Sequence, residues 1–316
     1  MKKKFLTAIL VVSMALALCA CDDEYYDYSG DYSEGYSDTD SEGEYDQYDE
    51  YQSYYADMGD YPFDTSLGSA KDLEGNIAIV SVFVNDATTS WDFENTDDNN
   101  LEGVIYNNLK VATEYLENVA KDYGRDMDMI YDFAEIPELA YTIDVDLDYR
   151  SIDDQDSNID YVLWEAISSN IPTEEILKKV NADQVIYMMY FNTPSSNTIT
   201  SCTRRHYEGM PYPYEMCLMF MHCEGDTEPP ACFAHEMLHT FGAVDLYMAS
   251  ELSQDYVDYA EETQLNDIMR ICEDPQTGEY LYDSIENEVT DITAYYVGLT
   301  DYSETVSEWG FAASEH

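Results

Sequence analysis

The pattern H-E-x-x-H-x-x-G-x-x-D, which begins at residue 235, constrains this chain more than any other sequence feature. On an α-helix, His235 and His239 are four residues apart, so both imidazole rings project from one face. Gly242 favours a backbone turn that residues with side chains rarely make, and this turn can end the helix. The chain can then fold back and bring Asp245 beside the two histidines. The pattern therefore predicts a helix, a tight turn and three metal-ligating side chains in one place.

Two neutral imidazoles and a carboxylate are typical ligands for zinc. Three protein ligands indicate a catalytic rather than a structural site, because the fourth position stays open to water and substrate. Glu236 follows the first histidine, where its carboxylate can take a proton from water that the metal activates. The alternative is an amphipathic helix with two hydrogen-bonded core histidines. In a chain with 5 histidines among 316 residues, that alternative leaves the spacing of Gly242 and Asp245 unexplained.

The motif resembles the long zinc-binding signature of the metzincin metallopeptidases, H-E-x-x-H-x-x-G-x-x-H/D. Its final aspartate is similar to that of snapalysin-type enzymes, and the continuation Asp245-Leu246-Tyr247 is similar to secreted proteases of the immune-inhibitor-A type. Metzincins carry a methionine turn under the zinc. The segment Asn-Asp-Ile-Met that ends at Met269 resembles this turn. The resemblance is strong over residues 230–271 and architectural elsewhere.

This resemblance implies a zinc-dependent endopeptidase whose metal ligands are His235, His239 and Asp245. Glu236 would be the general base, and Met269 would pack beneath the metal without ligating it; an ordinary core methionine is the alternative for Met269. Some metzincins have a tyrosine two residues after the methionine, where this chain has Ile271. The donor that stabilises the oxyanion is therefore open. The candidates are Tyr295, Tyr296, Arg270 and His206.

Residues 1–20 are typical of a bacterial lipoprotein signal peptide, because the apolar run after the initial lysines is too short to span a membrane in the mature protein. The sequence Leu-Cys-Ala-Cys that ends at Cys21 resembles a lipobox with this cysteine as the acylated residue. Cys19 is the poorer candidate because the bulky Leu18 precedes it, and an ordinary signal peptide cut nearby is the alternative. We expect a lipid-anchored protein on the outer face of the bacterial cytoplasmic membrane, which is the cell surface where no outer membrane exists.

Residues 21–66 follow as an acidic, tyrosine-rich tract without lysine or arginine. Such a like-charged segment cannot bury enough apolar surface to offset the entropy of ordering it, so we expect a disordered linker. An adhesive or cation-binding tract is the alternative. The remaining residues, 67–316, are long enough for one sizeable core and contain no second linker or internal repeat. They are therefore predicted to form one metallopeptidase domain.

The formal net charge of −54 repels nucleic acids and anionic membranes, so we expect no nucleic-acid partner and membrane contact through the lipid anchor alone. The expected partner is a protein or peptide substrate, and the expected state is a monomer. Because self-repulsion destabilises a compact chain, Ca²⁺ is a candidate second metal. Residues 154–165 partly fit a calcium loop. Ile159 stands where that loop needs glycine, which favours an acidic helix cap by Asp156 or Asn158 instead.

Hydrophobic periodicity predicts an α+β domain in which strands and helices alternate before the motif. The predicted strands are 76–84, 127–131, 140–147, 184–191 and 215–222, and the predicted helices are 101–123, 159–169, 173–180, one after Pro229-Pro230, and 287–299. Residues 192–214 are predicted to be a long loop. The resemblance implies a zincin/metzincin-like fold: a twisted, mostly parallel sheet with an antiparallel edge strand, an active-site helix and a C-terminal helix. We expect substrate to add as a strand at the sheet edge near 215–222.

Five cysteines follow Cys21, at positions 202, 217, 223, 232 and 272. Export permits disulfides, and an odd number leaves one thiol over or paired between chains. Cys217 and Cys223 lie on one predicted strand, too far apart to bond each other. Cys232, one helical turn before His235, could approach the metal as a thiolate, but a disulfide that braces the helix is the more common arrangement.

An alternative function is that of a non-catalytic surface lipoprotein that binds host or envelope ligands on a zinc-stabilised fold. The acidic linker suits either function. Glu236 favours the enzyme, because a binding protein gains nothing from a carboxylate at that position.

Overall fold

The computed structural model describes residues 68–152, 159–206, 213–247 and 254–309. The predicted signal peptide, Cys21 and the linker 21–66 lie outside these residues, as do Asp156 and Asn158 of the calcium-loop hypothesis. Within the described part of the chain, no helix combines the length and the apolar character needed to cross a membrane.

The main sheet has six strands: β1 (Gly75–Asn85), β2 (Met127–Ile130), β3 (Ala140–Asp144), β4 (Gln184–Phe191), β5 (Cys202–Arg204) and β6 (Met216–Phe220). Their order is β2-β1-β4-β6-β5, and β3 also pairs with β1. All pairings in this sheet are parallel except that of β5 with β6. The predicted α+β class and the mostly parallel sheet with an antiparallel edge strand are therefore confirmed. A small hairpin pairs β7 (His222–Cys223) with β8 (Asp226–Thr227).

The described residues contain seven α-helices: α1 (Thr96–Asp122), α2 (Ile159–Asn170), α3 (Thr173–Val180), α4 (Pro230–Thr240), α5 (Gln254–Thr263), α6 (Asp291–Tyr296) and α7 (Glu304–Trp309). Helix α1 begins before the predicted residue 101, because the side chain of Asn95 caps it by accepting a hydrogen bond from the Asp97 backbone N–H. It ends near Gly124, as predicted. The φ of 77° at Gly124 lies in the left-handed region, where glycine is favoured.

Helices cover both faces of the sheet, so its central strands are buried on both sides. Along β4, Ile186 and Met188 pack in one hydrophobic cluster with α1 and α4. Val185 and Tyr187 pack in the opposite cluster with α2 and α3. This alternation has the two-residue period of a strand. It explains why β1 and β4 are almost continuously apolar in the sequence.

The predicted loop at 192–214 is wrong over Cys202–Arg204, because these residues form β5. Strand β6 is paired on both sides, with β4 and with β5. The sheet edge that we expected near 215–222 is therefore β5 instead. A three-residue strand carries too little alternation to be recognised inside a polar segment.

The predicted C-terminal helix at 287–299 is also longer than the helix observed, α6. Glu288 is extended because it forms a parallel β-bridge with Asp267, in which the Ile268 backbone N–H donates to the Glu288 carbonyl at 2.9 Å. Beyond the helix, Gly298 has a φ of 69°. Helices α5 and α7 were not predicted.

Candidate metal centre and active site

Helix α4 carries the motif and is buried along its whole length. Pro230 occupies its first turn, where a backbone N–H has no partner within the helix. The helix packs against α1 and against the sheet face that contains Met188. His235 and His239 project from one side of it, 3% and 4% exposed. Packing on all sides therefore holds both imidazoles in place.

Gly242 ends α4 with the turn that the sequence predicted. Its φ is 97°, and its N–H donates to the carbonyl of His239 at 3.0 Å. The N–H of Ala243 donates to the carbonyl of Leu238 at 3.1 Å. These bonds satisfy the last helical carbonyls and reverse the chain. Asp245, 3% exposed, is thereby carried back to the two histidines.

The two histidines and the aspartate bring three ligand atoms together. The Nε2 atoms of His235 and His239 are 3.2 Å apart. Oδ1 of Asp245 lies 3.1 Å from the first and 3.3 Å from the second. Ligand atoms about 2.0 Å from a tetrahedral zinc ion are about 3.3 Å from one another. The three atoms therefore already have the spacing of three corners of such a tetrahedron.

Backbone carbonyls fix the tautomer of both histidines. Nδ1 of His235 donates to the carbonyl of Ile268, and Nδ1 of His239 donates to the carbonyl of Ala243, each at 2.9 Å. A carbonyl can only accept, so each Nδ1 carries a hydrogen. In a neutral imidazole the Nε2 lone pair is then available to a metal ion. Among the described residues, these two histidines and Asp245 are the one group of three or more His, Cys, Asp or Glu side chains with ligand atoms within 4.8 Å of each other.

The charges of His235, His239 and Asp245 are compatible with a bound cation. Burial alone would lower the pKa of His235, but the hydrogen bond and the charge of Asp245 raise it to about 10. Burial would raise the pKa of Asp245, but the two histidines hold it well below its usual range. Asp245 and Glu236 are two buried carboxylates within one cluster. A divalent cation bound by the two imidazoles and Asp245 would offset the charge of both carboxylates.

Glu236 lies next to the metal ligands and is 3% exposed. Its Oε2 accepts a hydrogen bond at 2.7 Å from the hydroxyl of Thr203 on β5. Burial raises the pKa of Glu236, while its electrostatic interactions with His235 and His239 and the bond from Thr203 oppose this rise. A carboxylate held beside a metal centre has the position of a general base.

The segment around Met269 lies against both sides of the metal centre through its backbone. The carbonyl of Ile268 accepts from His235, and the carbonyl of Met269 accepts from the N–H of Leu246, directly after Asp245, at 2.9 Å. The Met269 side chain is fully buried. This placement agrees with a packing role near the ligands.

Asp267 joins this methionine segment to α6. Its buried carboxylate accepts from the backbone N–H of Met269 at 2.7 Å and from the backbone N–H of Thr290 at 2.9 Å. The hydroxyls of Thr290 and Thr293 donate to it as well. Burial raises the pKa of Asp267, and these bonds oppose the rise. The sequence did not reveal this role.

The four candidate oxyanion donors have other contacts in the structure. Tyr295 and Tyr296 pack edge-to-face on α6 with ring centres 5.7 Å apart, and Tyr296 is buried in the core. Arg270 donates from Nη1 to the carbonyl of Leu265 at 3.4 Å. The backbone N–H of His206 donates to Glu215 at 3.2 Å. None of these contacts joins a candidate to the metal ligands.

Two residues near the site were missed from the sequence. Thr203 contacts Glu236, and the ring of Tyr247 lies nearly parallel to that of His235, with centres 6.3 Å apart. The sequence marked Tyr247 only within the continuation Asp245-Leu246-Tyr247, which gave it no role at the site. Thr203 gave no signal, because it contacts Glu236 across 33 residues.

Cys232 does not face the metal as a thiolate in this structure. It is a buried thiol that belongs to one small cluster with Ala231 and Cys272. The predicted disulfide that braces this helix has Cys272, in the same cluster, as a candidate partner. Of the acidic calcium-loop residues, Asp160 and Glu165 are described. Asp160 forms an ion pair with Arg204 of β5 at 3.0 Å.

Glu215 fastens the end of β5 to the beginning of the described chain. Its carboxylate accepts from the backbone N–H of Ala70 at 2.9 Å and of His206 at 3.2 Å. Gly68 packs so closely that an added Cβ would lie 2.6 Å from Oε2 of Glu215. Arg205 lies between β5 and His206 in the chain. Its Nη1 donates to the carbonyl of Ala243, which also accepts from Nδ1 of His239. Glu215 thereby steadies a segment that contacts the metal-binding turn.

We expect Glu215 to make folding stability depend on pH. Burial raises its pKa to about 8 from an ordinary 4.5, although the N–H groups of Ala70 and His206 and the charge of Arg205 oppose the rise. Between these pH values the folded state binds more protons than the unfolded state, so stability falls as pH rises. Relative to Glu215→Gln, the wild type should lose up to about 5 kcal/mol of unfolding free energy across this window. Urea unfolding at a series of pH values measures the unfolding free energy of both proteins. The same dependence on pH in the wild type and in Glu215→Gln would contradict this prediction.

No family model matches the chain, and comparison with curated proteins and with solved structures finds no match. Inference about function therefore depends on the geometry of the site.

Proposed function

We propose that this protein is a zinc-dependent endopeptidase with a zincin/metzincin-like catalytic domain. The metal ligands are His235, His239 and Asp245, and Glu236 is the general base. The substrate is a peptide or protein outside the cytoplasm. Acylation of Cys21 would anchor the enzyme to the outer face of the bacterial cytoplasmic membrane.

One observation carries the proposal: the ligand atoms form a triangle with sides of 3.1, 3.2 and 3.3 Å, and the carboxylate of Glu236 interacts electrostatically with both of its histidines. The set also suits zinc chemically, because it combines two imidazoles whose Nδ1–H groups are engaged with one carboxylate. When bound there, zinc would supply Lewis-acid chemistry, making water acidic near neutral pH and polarising a carbonyl group.

Each of the four site residues has its own role in the proposed hydrolysis. Glu236 removes a proton from the attacking water and later delivers it to the leaving amine. The bonds from Nδ1 of His235 and His239 to backbone carbonyls hold both rings with Nε2 toward Asp245. Asp245 contributes the negative charge of the ligand set. Because all four side chains are nearly buried, bulk water is excluded and their electrostatic interactions are strengthened.

Strand β5 supports the view that substrate binds in an extended conformation. It is the antiparallel edge of the sheet, and its Thr203 contacts the general base. An extended peptide can add to a sheet edge through backbone hydrogen bonds, which allows binding of many sequences. A peptide on this edge would lie close to Glu236.

The proposal predicts metal-dependent cleavage of internal peptide bonds. The mature chain, purified with zinc, should cleave members of a mixed peptide library, as measured by mass spectrometry. Treatment with a zinc chelator should abolish cleavage, and added zinc should restore it. A protein that holds one zinc per chain and cleaves nothing in the library would contradict the proposal. That result would favour a non-catalytic lipoprotein that binds ligands on a zinc-stabilised fold.

A further inference from the structure

Thr203 and Cys217 face α4 from two neighbouring strands. They are directly opposite each other in the antiparallel pair of β5 and β6. The Thr203 hydroxyl lies 2.7 Å from Oε2 and 2.9 Å from the backbone carbonyl oxygen of Glu236. The Cys217 thiol donates to the same carbonyl oxygen at 3.4 Å. Two side chains from the sheet therefore converge on one residue of the motif helix.

The hydrogen count at Thr203 is informative. A hydroxyl has one hydrogen to donate and lone pairs that can accept. With Glu236 as a carboxylate, both nearby oxygens are acceptors, and the hydroxyl can satisfy one of them fully. The hydroxyl therefore ties both the side chain and the backbone of Glu236 to one residue of β5.

We propose that Thr203 is a positioning residue that holds the carboxylate of Glu236 in its working orientation through its hydroxyl. This inference rests on the proposed function, in which Glu236 is the general base. The Thr203 hydroxyl acts through Glu236, whose carboxylate it contacts. Thr203 engages Oε2, which leaves Oε1 as the carboxylate oxygen without this bond.

The location of Thr203 gives this contact a second consequence. The residue belongs to the edge strand on which the proposed substrate pairs, so one residue joins the strand beside the substrate backbone to the base. A base must be held within a few tenths of an ångström of the reacting atoms to be effective. Thr203 would fix Glu236 relative to β5 rather than relative to α4 alone.

The first test compares Thr203→Val, which keeps the shape and removes the hydroxyl, with Thr203→Ser, which keeps the hydroxyl. In the full mature chain, T203V should lower kcat by roughly 10- to 100-fold, the range for a hydrogen bond to a charged group, with little change in KM. T203S should recover most of the loss, and zinc content should stay at the wild-type level in both. Thr277→Val is the matched control, because it removes a threonine bond to the carboxylate of Asp274, at 2.6 Å, in a different turn.

The second test does not depend on peptide cleavage. Acetohydroxamate binds zinc and can hydrogen-bond a neighbouring carboxylate, so its dissociation constant reports the orientation of Glu236. T203V should weaken binding of acetohydroxamate by about tenfold in the wild-type background and by less than about twofold in the Glu236→Gln background, because the two residues act as a unit.

These results separate the two hypotheses. An equal effect of T203V in both backgrounds, or an equal loss in T203V and T203S, would show that Thr203 acts only by joining β5 to α4 and would overturn the inference. Coupled effects on acetohydroxamate binding in a protein that cleaves no peptide would overturn the proposed function and leave the positioning of Glu236 by Thr203 intact.

Discussion

Replacing Glu236 with glutamine should lower kcat for peptide hydrolysis by roughly three orders of magnitude while the protein keeps its zinc. Glutamine has nearly the same shape as glutamate and can still contact the hydroxyl of Thr203. It cannot remove a proton from water or return one to the leaving amine. Because Glu236 supplies none of the three ligand atoms of the cluster, zinc content should not change. Steady-state kinetics and metal analysis of the same preparation measure both quantities.

The matched control for this variant is Glu228→Gln. Glu228 is also buried and also accepts a hydrogen bond from a hydroxyl, that of Ser201 at 2.8 Å, but it lies before α4 begins. E228Q should therefore retain kcat within a few-fold. An E236Q protein that hydrolyses peptides at the wild-type rate would show that another group serves as the base.

Replacing Asp245 with asparagine should weaken zinc binding by at least about 100-fold, which is more than the loss of a residue that only orients a ligand. The substitution removes the negative charge of the ligand set and replaces one anionic donor with a weak neutral one. His235 and His239 alone hold zinc in a two-ligand site, which is far weaker than a three-ligand site. Activity at limiting zinc should disappear with the metal, and titration against a chromogenic chelator measures the affinity.

Asp274→Asn makes the same chemical change away from the site. Asp274 is buried and accepts bonds from Gln276 and Thr277 within its own turn. This variant should bind zinc as tightly as the wild type. If D245N bound zinc as tightly as D274N, Asp245 would not be a ligand and the proposed site would be wrong.

The parts of the site that could be predicted from sequence depend on short-range geometry. A spacing of four residues places His235 and His239 on one face of any helix, and a glycine after the helix permits the turn that the φ of Gly242 displays. Asp245 follows within three residues of that turn. Local spacing alone was therefore sufficient to bring these side chains together.

The contacts that the sequence did not reveal are long-range. Thr203 contacts Glu236 from the edge strand of the sheet, and this strand is three residues long. The β-bridge between Asp267 and Glu288 shortens α6, although the apolar spacing of 287–299 fits a longer helix. The first contact depends on strand pairing that the local sequence does not indicate. In the second case, strand pairing overrides the helical pattern of the local sequence.

The sheet was predictable in class but not at its edge. Strands β1 and β4 are continuous apolar runs because both of their faces are buried, and such runs are easily recognised. Strand β5 lies at the margin and has one buried and two half-buried residues. Because this pattern is weak, the sequence predicts the substrate-binding edge at the residues of β6 instead of β5.

The most direct test of the central claim is anomalous diffraction at the zinc absorption edge from crystals of the zinc-loaded mature chain. The account predicts one anomalous peak within bonding distance, about 2.0 to 2.2 Å, of Nε2 of His235, Nε2 of His239 and a carboxylate oxygen of Asp245. A peak at other side chains, or a zinc ion bound by the histidines while Asp245 points elsewhere, would contradict it.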